Sequence, residues 1–289
     1  MLPARFEYHR PASLEEALSL MSEHGDDGKV LAGGMSFIPL LKLRFAAPGH
    51  VIDVNHVPGL EGMEESDGSL RVRAVTRHHA FETSDVITAR YPLMASAAPQ
   101  ISDPIVRNWG TIGGSLAHAD PAGDWGSVLL ALDAEVVATS AGGERTMPVD
   151  DLLQSNFMTA LEPNELLTEI RVPVPSARSG GAYLKLERRI GDFATVAAAV
   201  QLSLDDGHIA NAGIGLTSVG PRNLKAKEAE ASLRGAEPTD EAFAEAARLA
   251  AQAAEPTDDV RGSADYKRHV VEVYVRRGLA RALEIARSA

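Results

Sequence analysis

The chain contains no cysteine, which excludes disulfides and removes the thiolates that usually hold zinc or iron–sulfur clusters. Any iron–sulfur chemistry in which it takes part must therefore sit on another polypeptide. No run of about 18 apolar residues is present to span a bilayer, and the N-terminus lacks a basic region followed by an apolar core and a cleavage site. Both absences read as a cytoplasmic protein. Basic residues are in deficit: 28 Lys and Arg face 40 Asp and Glu, a net charge of −12, which argues against a nucleic-acid partner. There is no Walker A sequence, no internal repeat, and no Ser-His-Asp triad or carboxylate pair to name as catalytic. His78-His79 could suggest a metal, but neighbouring helical residues point to different faces and no H-E-x-x-H spacing follows, so these read as surface or packing histidines. Gly213-Ile214-Gly215 contains G-x-G, yet the next glycine is Gly220 and the stretch lies in a hairpin strand. It reads as structure, not as a dinucleotide fingerprint.

What is present is a pair of glycine segments, Ala32-Gly33-Gly34-Met35-Ser36 and Thr111-Ile112-Gly113-Gly114-Ser115. Each follows a run that reads as a strand or its approach. Glycine allows close backbone approach, so successive N–H groups can line a concavity that holds an anion. Either segment alone would read as a tight turn; together they read as two halves of one phosphate cradle, with the hydroxyls of Ser36, Thr111 and Ser115 as further donors. Pro39 fits an early turn of a helix leaving the first segment, whose N-terminus would add to the anion site.

The 289 residues suffice for two or three compact units. Ser13 and Glu16 form a capping box for an amphipathic helix over about 13–24. Strands are expected at 51–54, 70–75, 135–138 and 169–172, with a hairpin turn at Asp67-Gly68. Pro58-Gly59 marks a boundary, and the proline- and glycine-rich stretch 173–181 reads as a linker. Beyond it, 195–204 and 208–219 form a hairpin around Asp205-Asp206-Gly207, and helices are expected at 239–254 and 263–287. These would make a small antiparallel sheet with helices on one face.

The stretches Lys29 to Arg44 and Asn108 to Asp124 closely resemble the FAD-binding medium subunits of molybdenum hydroxylases, the xanthine dehydrogenase family, and most of all those of the aerobic carbon monoxide dehydrogenases. The likeness continues through Phe6 to Pro11, Glu162 to Thr168, Lys185 to Ala194 and Tyr266 to Arg268. It implies an α+β fold: an FAD-binding domain of the PCMH/vanillyl-alcohol-oxidase type with subdomains at 1–56 and 57–176, then a C-terminal domain at 177–289. It also implies FAD as cofactor. With neither cysteine nor histidine in the glycine segments to attach it, the FAD is expected to be noncovalent. The implied contacts are Lys29, Val30, Leu31, Ala32, Gly33, Gly34, Met35, Ser36 and Phe37, then Gly110, Thr111, Ile112, Gly113, Gly114 and Ser115. Ile101, Asp124, Leu167 and Lys185 are added at single positions. Phe193 stands where the family often has a tyrosine beside the isoalloxazine, so its ring either stacks on the flavin or is ordinary core. Met35 stands where relatives can carry histidine, and His118 adjoins the second segment.

The resemblance further implies a relay: electrons from [2Fe-2S] clusters on a small subunit reach FAD here and leave to an external acceptor, quinone or NAD. A large subunit holds the molybdenum cofactor, and the assembly is a dimer of heterotrimers. Carbon monoxide is the leading substrate. The same subunit in a hydroxylase for xanthine, aldehydes or aromatic heterocycles is an alternative, as is a self-standing flavin-binding module.

Overall fold

Helix α1 (Leu14–His24) begins where the Ser13 hydroxyl accepts the Glu16 N–H at 3.1 Å. Glu16 reaches back to the Ala12 N–H at 2.7 Å, one residue before the usual capping-box partner. The computed structural model describes residues 2–289. Around α1 lie β1 (Glu7–His9), β2 (Gly28–Leu31), α2 (Phe37–Leu43) and β3 (His50–Asp53). The three strands form a parallel sheet in the order β1-β3-β2. Ala17, Leu18 and Met21 of α1 are buried with Ile52 and Val54 in a small core that reaches Val75 and Leu166 of the next unit.

The second sheet opens with β4 (Met63–Ser66) and β5 (Ser69–Arg73), joined at Asp67-Gly68 as the turn signal requires. A helical excursion follows: α3 (His78–Thr83), α4 (Asp85–Arg90), α5 (Pro92–Ala97), α6 (Pro104–Trp109), α7 (Ile112–His118) and α8 (Asp124–Ala131). The chain returns through β6 (Glu135–Ser140), β7 (Gly143–Pro148), α9 (Val149–Leu152), the small ribbon β8 (Leu153–Ser155) and β9 (Met158–Thr159), and β10 (Leu166–Pro173). The five-stranded antiparallel order is β4-β5-β10-β6-β7. One expectation fails here. The second glycine segment is entered from helix α6, not from a strand, because the Asp103 carboxylate accepts the Val106 N–H at 2.8 Å and caps a short helix.

The third sheet, β11 (Ser179–Leu186), β12 (Val196–Asp205), β13 (His208–Thr217) and β14 (Leu224–Lys225), is antiparallel in chain order. It is followed by α10 (Lys227–Leu233), α11 (Asp240–Ala253) and α12 (Ala264–Ser288). Its own helices lie on one face, as expected, with α12 on β11 and β12, while α5 and α8 of the preceding unit cover the other face against β11 and β13. That explains the almost unbroken apolar burial of β12. It also explains Gly213-x-Gly215, since a Cβ at either position would overlap the α8 carbonyls of Ala131 and Ser127. Gly180-Gly181 lies within β11 for a similar reason, so the linker is shorter than 173–181.

Candidate functional site

Between the first two sheets, the helical excursion and the loop after β11 lies a cavity of about 540 Å³. The first glycine segment leaves β2 and runs directly into α2, with Gly34 at φ 75°, a left-handed conformation that suits glycine. Among the described residues, no protein group accepts the backbone N–H of Gly33, Gly34, Met35, Ser36 or Phe37, and all five residues line the cavity. Such a row of free donors is what an anionic group bridging a loop and a helix start requires.

The second segment differs. Four of its five N–H groups are engaged inside the protein: Ile112 with the Thr76 carbonyl at 3.1 Å, Gly113 with Ala74 at 2.9 Å, Gly114 with the Thr111 hydroxyl at 3.1 Å and Ser115 with the Thr111 carbonyl at 3.0 Å. A Cβ on Gly113 would lie 2.7 Å from the Ala74 carbonyl oxygen. The expectation that both segments offer amides to one anion is thus corrected. The second segment packs its backbone against the end of β5 and gives the cavity a wall that carries the Thr111 and Ser115 hydroxyls.

The two segments touch. A Cβ on Gly33 would overlap the Trp109 carbonyl, so the missing side chain lets the two loops touch while the backbone of this glycine borders the cavity. A polar clamp spans the junction. Asn55 Nδ2 donates to the Ala32 carbonyl at 2.7 Å, Arg77 donates to Asn55 Oδ1 at 2.6 Å, and Arg77 also donates to the Trp109 carbonyl. Asp53 steadies Asn55 through Oδ1 at 2.6 Å and accepts from Tyr8 at 2.5 Å. Burial alone would raise the Asp53 pKa, but these hydrogen bonds outweigh it and hold the carboxyl below its ordinary range.

His78, read from the sequence as a surface or packing residue, is buried and borders the cavity. Its Nδ1 accepts from Trp125 Nε1 at 2.9 Å, which leaves the proton of the neutral ring on Nε2. Burial, helped by the charges of Arg77 and Arg107, lowers its pKa to about 4. His79 is exposed beside Glu82.

At another wall, Asp124 opens α8. Its Oδ1 accepts from the Tyr183 hydroxyl at 2.6 Å and its Oδ2 from Lys185 Nζ at 3.1 Å, both on β11, and Lys185 also donates to the Gln100 carbonyl at 3.0 Å. Burial pushes the Asp124 carboxyl up, opposed by the Lys185 ammonium and the Tyr183 hydrogen bond. Asp124, Ile101 and Leu167 line the cavity with Lys29, Val30 and Ala32, and with Gly110, Thr111, Gly113, Gly114 and Ser115. Leu31, Ile112 and Lys185 do not line it; they stand behind residues that do. Phe193 is on the rim with half its surface exposed, which excludes the core reading. His118 also lines the cavity, its ring against Phe157. The clamp residues Asn55 and Arg77 have no marker in the sequence, because their partners lie 22 and 32 residues away.

Residues 4–175 match the family described as the FAD binding domain in molybdopterin dehydrogenase, and residues 181–282 match the CO dehydrogenase flavoprotein C-terminal domain. The chain belongs to this flavoprotein family. It is therefore the FAD-carrying, electron-transferring subunit of a molybdenum hydroxylase, and its fold is the α+β flavoprotein fold of that family. The carbon monoxide dehydrogenase medium chain of Hydrogenophaga pseudoflava is 42% identical over 279 residues, 96% of this chain and 97% of that one. The 6-hydroxypseudooxynicotine dehydrogenase complex subunit alpha of Paenarthrobacter nicotinovorans is also 42% identical, over 288 residues, 99% of this chain and 97% of that one. A solved carbon monoxide dehydrogenase from Hydrogenophaga pseudoflava superposes with a TM-score of 0.96 at 44% identity, covering 99% of each chain. The site fits the family's cofactor: a row of free amides beside an apolar cavity suits a molecule that joins a pyrophosphate to flat ring systems.

Proposed function

We propose that this subunit relays electrons from [2Fe-2S] clusters on a small partner chain to an external acceptor, quinone or NAD, in an assembly whose large subunit oxidises carbon monoxide to carbon dioxide at molybdenum. The row of amides from Gly33 to Phe37, for which no described residue supplies an acceptor, is the observation that carries the flavin reading. FAD, when bound, supplies the redox chemistry; the protein supplies binding, orientation and electrostatics. In this reading the pyrophosphate is held noncovalently by those amides and by the Ser36 hydroxyl, with Thr111 and Ser115 donating from the opposite wall. Ala32 and Gly110 bring the two segments together, and Lys29, Val30, Ile101 and Leu167 enclose the cofactor. The Asp124 carboxylate accepts a cofactor hydrogen bond while Lys185 and Tyr183 keep it in place. Leu31 and Ile112 position the loops from behind, and Phe193 covers one face of the isoalloxazine.

The assembly is a dimer of heterotrimers in the cytoplasm; no helix among the described residues is long and apolar enough to cross a membrane. Residues 1–56, 57–176 and 177–289 serve as its three folding units. A pull-down from the native host tests the whole reading: molybdenum and iron should accompany the chain, and acid precipitation should release yellow FAD. A colourless complex without these metals would overturn it.

The substrate has a second reading. The nicotine-derivative dehydrogenase subunit is as similar to this chain as the carbon monoxide dehydrogenase chain is, and substrate does not touch this polypeptide. Dye reduction by the purified complex with carbon monoxide or with an N-heterocycle separates the two.

A further inference from the structure

Around the start of β3, three imidazoles from three elements converge. His9 ends β1, His24 ends α1 and His50 opens β3. His9 Nε2 lies 2.9 Å from His50 Nδ1, and the His24 ring stacks on that of His50 with centroids 3.6 Å apart. One ligand nitrogen from each lies within 4.8 Å of the other two. The Glu7 carboxylate stands 3.7 Å from His50 Nδ1 and adds negative charge. The arrangement depends on Gly28, whose absent Cβ would lie 3.0 Å from His24 Cβ and hold α1 off the sheet.

We propose that His9, His24 and His50 form a binding site for a divalent transition-metal ion of the zinc class. Imidazole nitrogens suit such ions, which bind them at about 2.0–2.1 Å, so two ligands on one tetrahedral ion are about 3.4 Å apart. The His9–His50 pair is already near that separation, and the half-buried His24, whose ring now lies face to face on His50, must rotate out of that stack to bring a nitrogen onto the same ion. Three nitrogens leave a fourth position for the Glu7 carboxylate or water. None of the three histidines lines the flavin cavity, although Lys29, next to the Gly28 that pairs with His50, does. A bound ion would tie β1 and the end of α1 to β3, bracing the sheet from which the first glycine segment springs.

The test is titration of Zn²⁺ into tag-free, chelator-stripped full-length chain in competition with a chromophoric chelator, with thermal melts alongside. One Zn²⁺ per chain and a raised Tm are expected. His24→Gln should weaken binding by more than about tenfold, the smaller loss seen when even an outer partner of a metal site is removed, and should abolish the Tm rise. His9→Gln and His50→Gln, on different strands, should lose it too, while His208→Gln on an exposed hairpin should bind as the parent does. A parent chain that takes up no Zn²⁺, or folded His24→Gln that binds it unchanged, overturns the proposal.

Discussion

Among the described residues, the N–H groups of Gly33 to Phe37 in the first glycine segment have no acceptor, whereas in the second those of Ile112, Gly113, Gly114 and Ser115 are all engaged. Nearly the same residues thus do different work. In the first, missing side chains leave donors bare and let the neighbouring loop approach. In the second, they let the backbone lie against Ala74 and build a wall. A Gly-Gly pair closely followed by serine reports close backbone approach; whether the neighbour is a ligand or the protein itself depends on contacts made elsewhere in the chain.

The sharpest way to break this contrast is at Gly33. Gly33→Ala puts a methyl group onto the Trp109 carbonyl, and neither backbone can yield without opening the Asn55–Arg77 clamp. FAD affinity should fall about a hundredfold, equivalent to roughly 2.7 kcal/mol, read as the flavin-to-protein ratio of the purified variant. Full occupancy would show that contact between the loops does not matter.

Acid should find the second segment's support. The His78 N–H donates to the Gly110 carbonyl and its ring is buried behind that loop. Its folded pKa, about 4, lies below the ordinary 6.5. The unfolded chain therefore takes up this proton first, and the stability held above pH 6.5 is lost as pH falls toward 4, by about 3 kcal/mol at order of magnitude. His78→Gln should flatten that part of the pH–stability curve in urea titrations; an unchanged slope would assign the acid sensitivity to other groups.

Gly113→Ala should separate structure from binding. Overpacking against Ala74 is expected to cost about 1–3 kcal/mol of stability with or without flavin, while the folded fraction keeps most of its FAD affinity because the donors of the first segment are untouched. An affinity loss as large as that of Gly33→Ala, with no change in the melt, would make the two segments equivalent after all. The smallest stability effect belongs to Phe193→Ala. With its ring half exposed on the rim, its removal should change stability by less than about 1 kcal/mol yet shift the flavin absorption band. A large melting shift with an unmoved spectrum would contradict the stacking role.

Features encoded by neighbouring residues were legible in the sequence: the Ser13 cap, the turns at Asp67-Gly68 and Asp206-Gly207, and the long helices of the C-terminal region. So was about half of the cavity lining, through the family resemblance. What escaped depends on distant partners. Gly180-Gly181 looks like a linker until α12 and α5 press on β11. His78 looks like surface until Trp125, 47 residues later, closes over it. The free or engaged state of the glycine amides was equally hidden, since it depends on where Ala74 and Thr76 come to lie.

The Asp124–Lys185 pair has a consequence for the order of events on the ribosome. Asp124 is synthesised 61 residues before the ammonium that neutralises it and 59 before the hydroxyl that completes its shell. Until β11 emerges and docks, the cavity wall holds a carboxylate without its partners and favours an open, hydrated arrangement. The wall at Asp124 is therefore complete only once β11 has docked, so a sheet that lines none of the cavity still settles one of its charges.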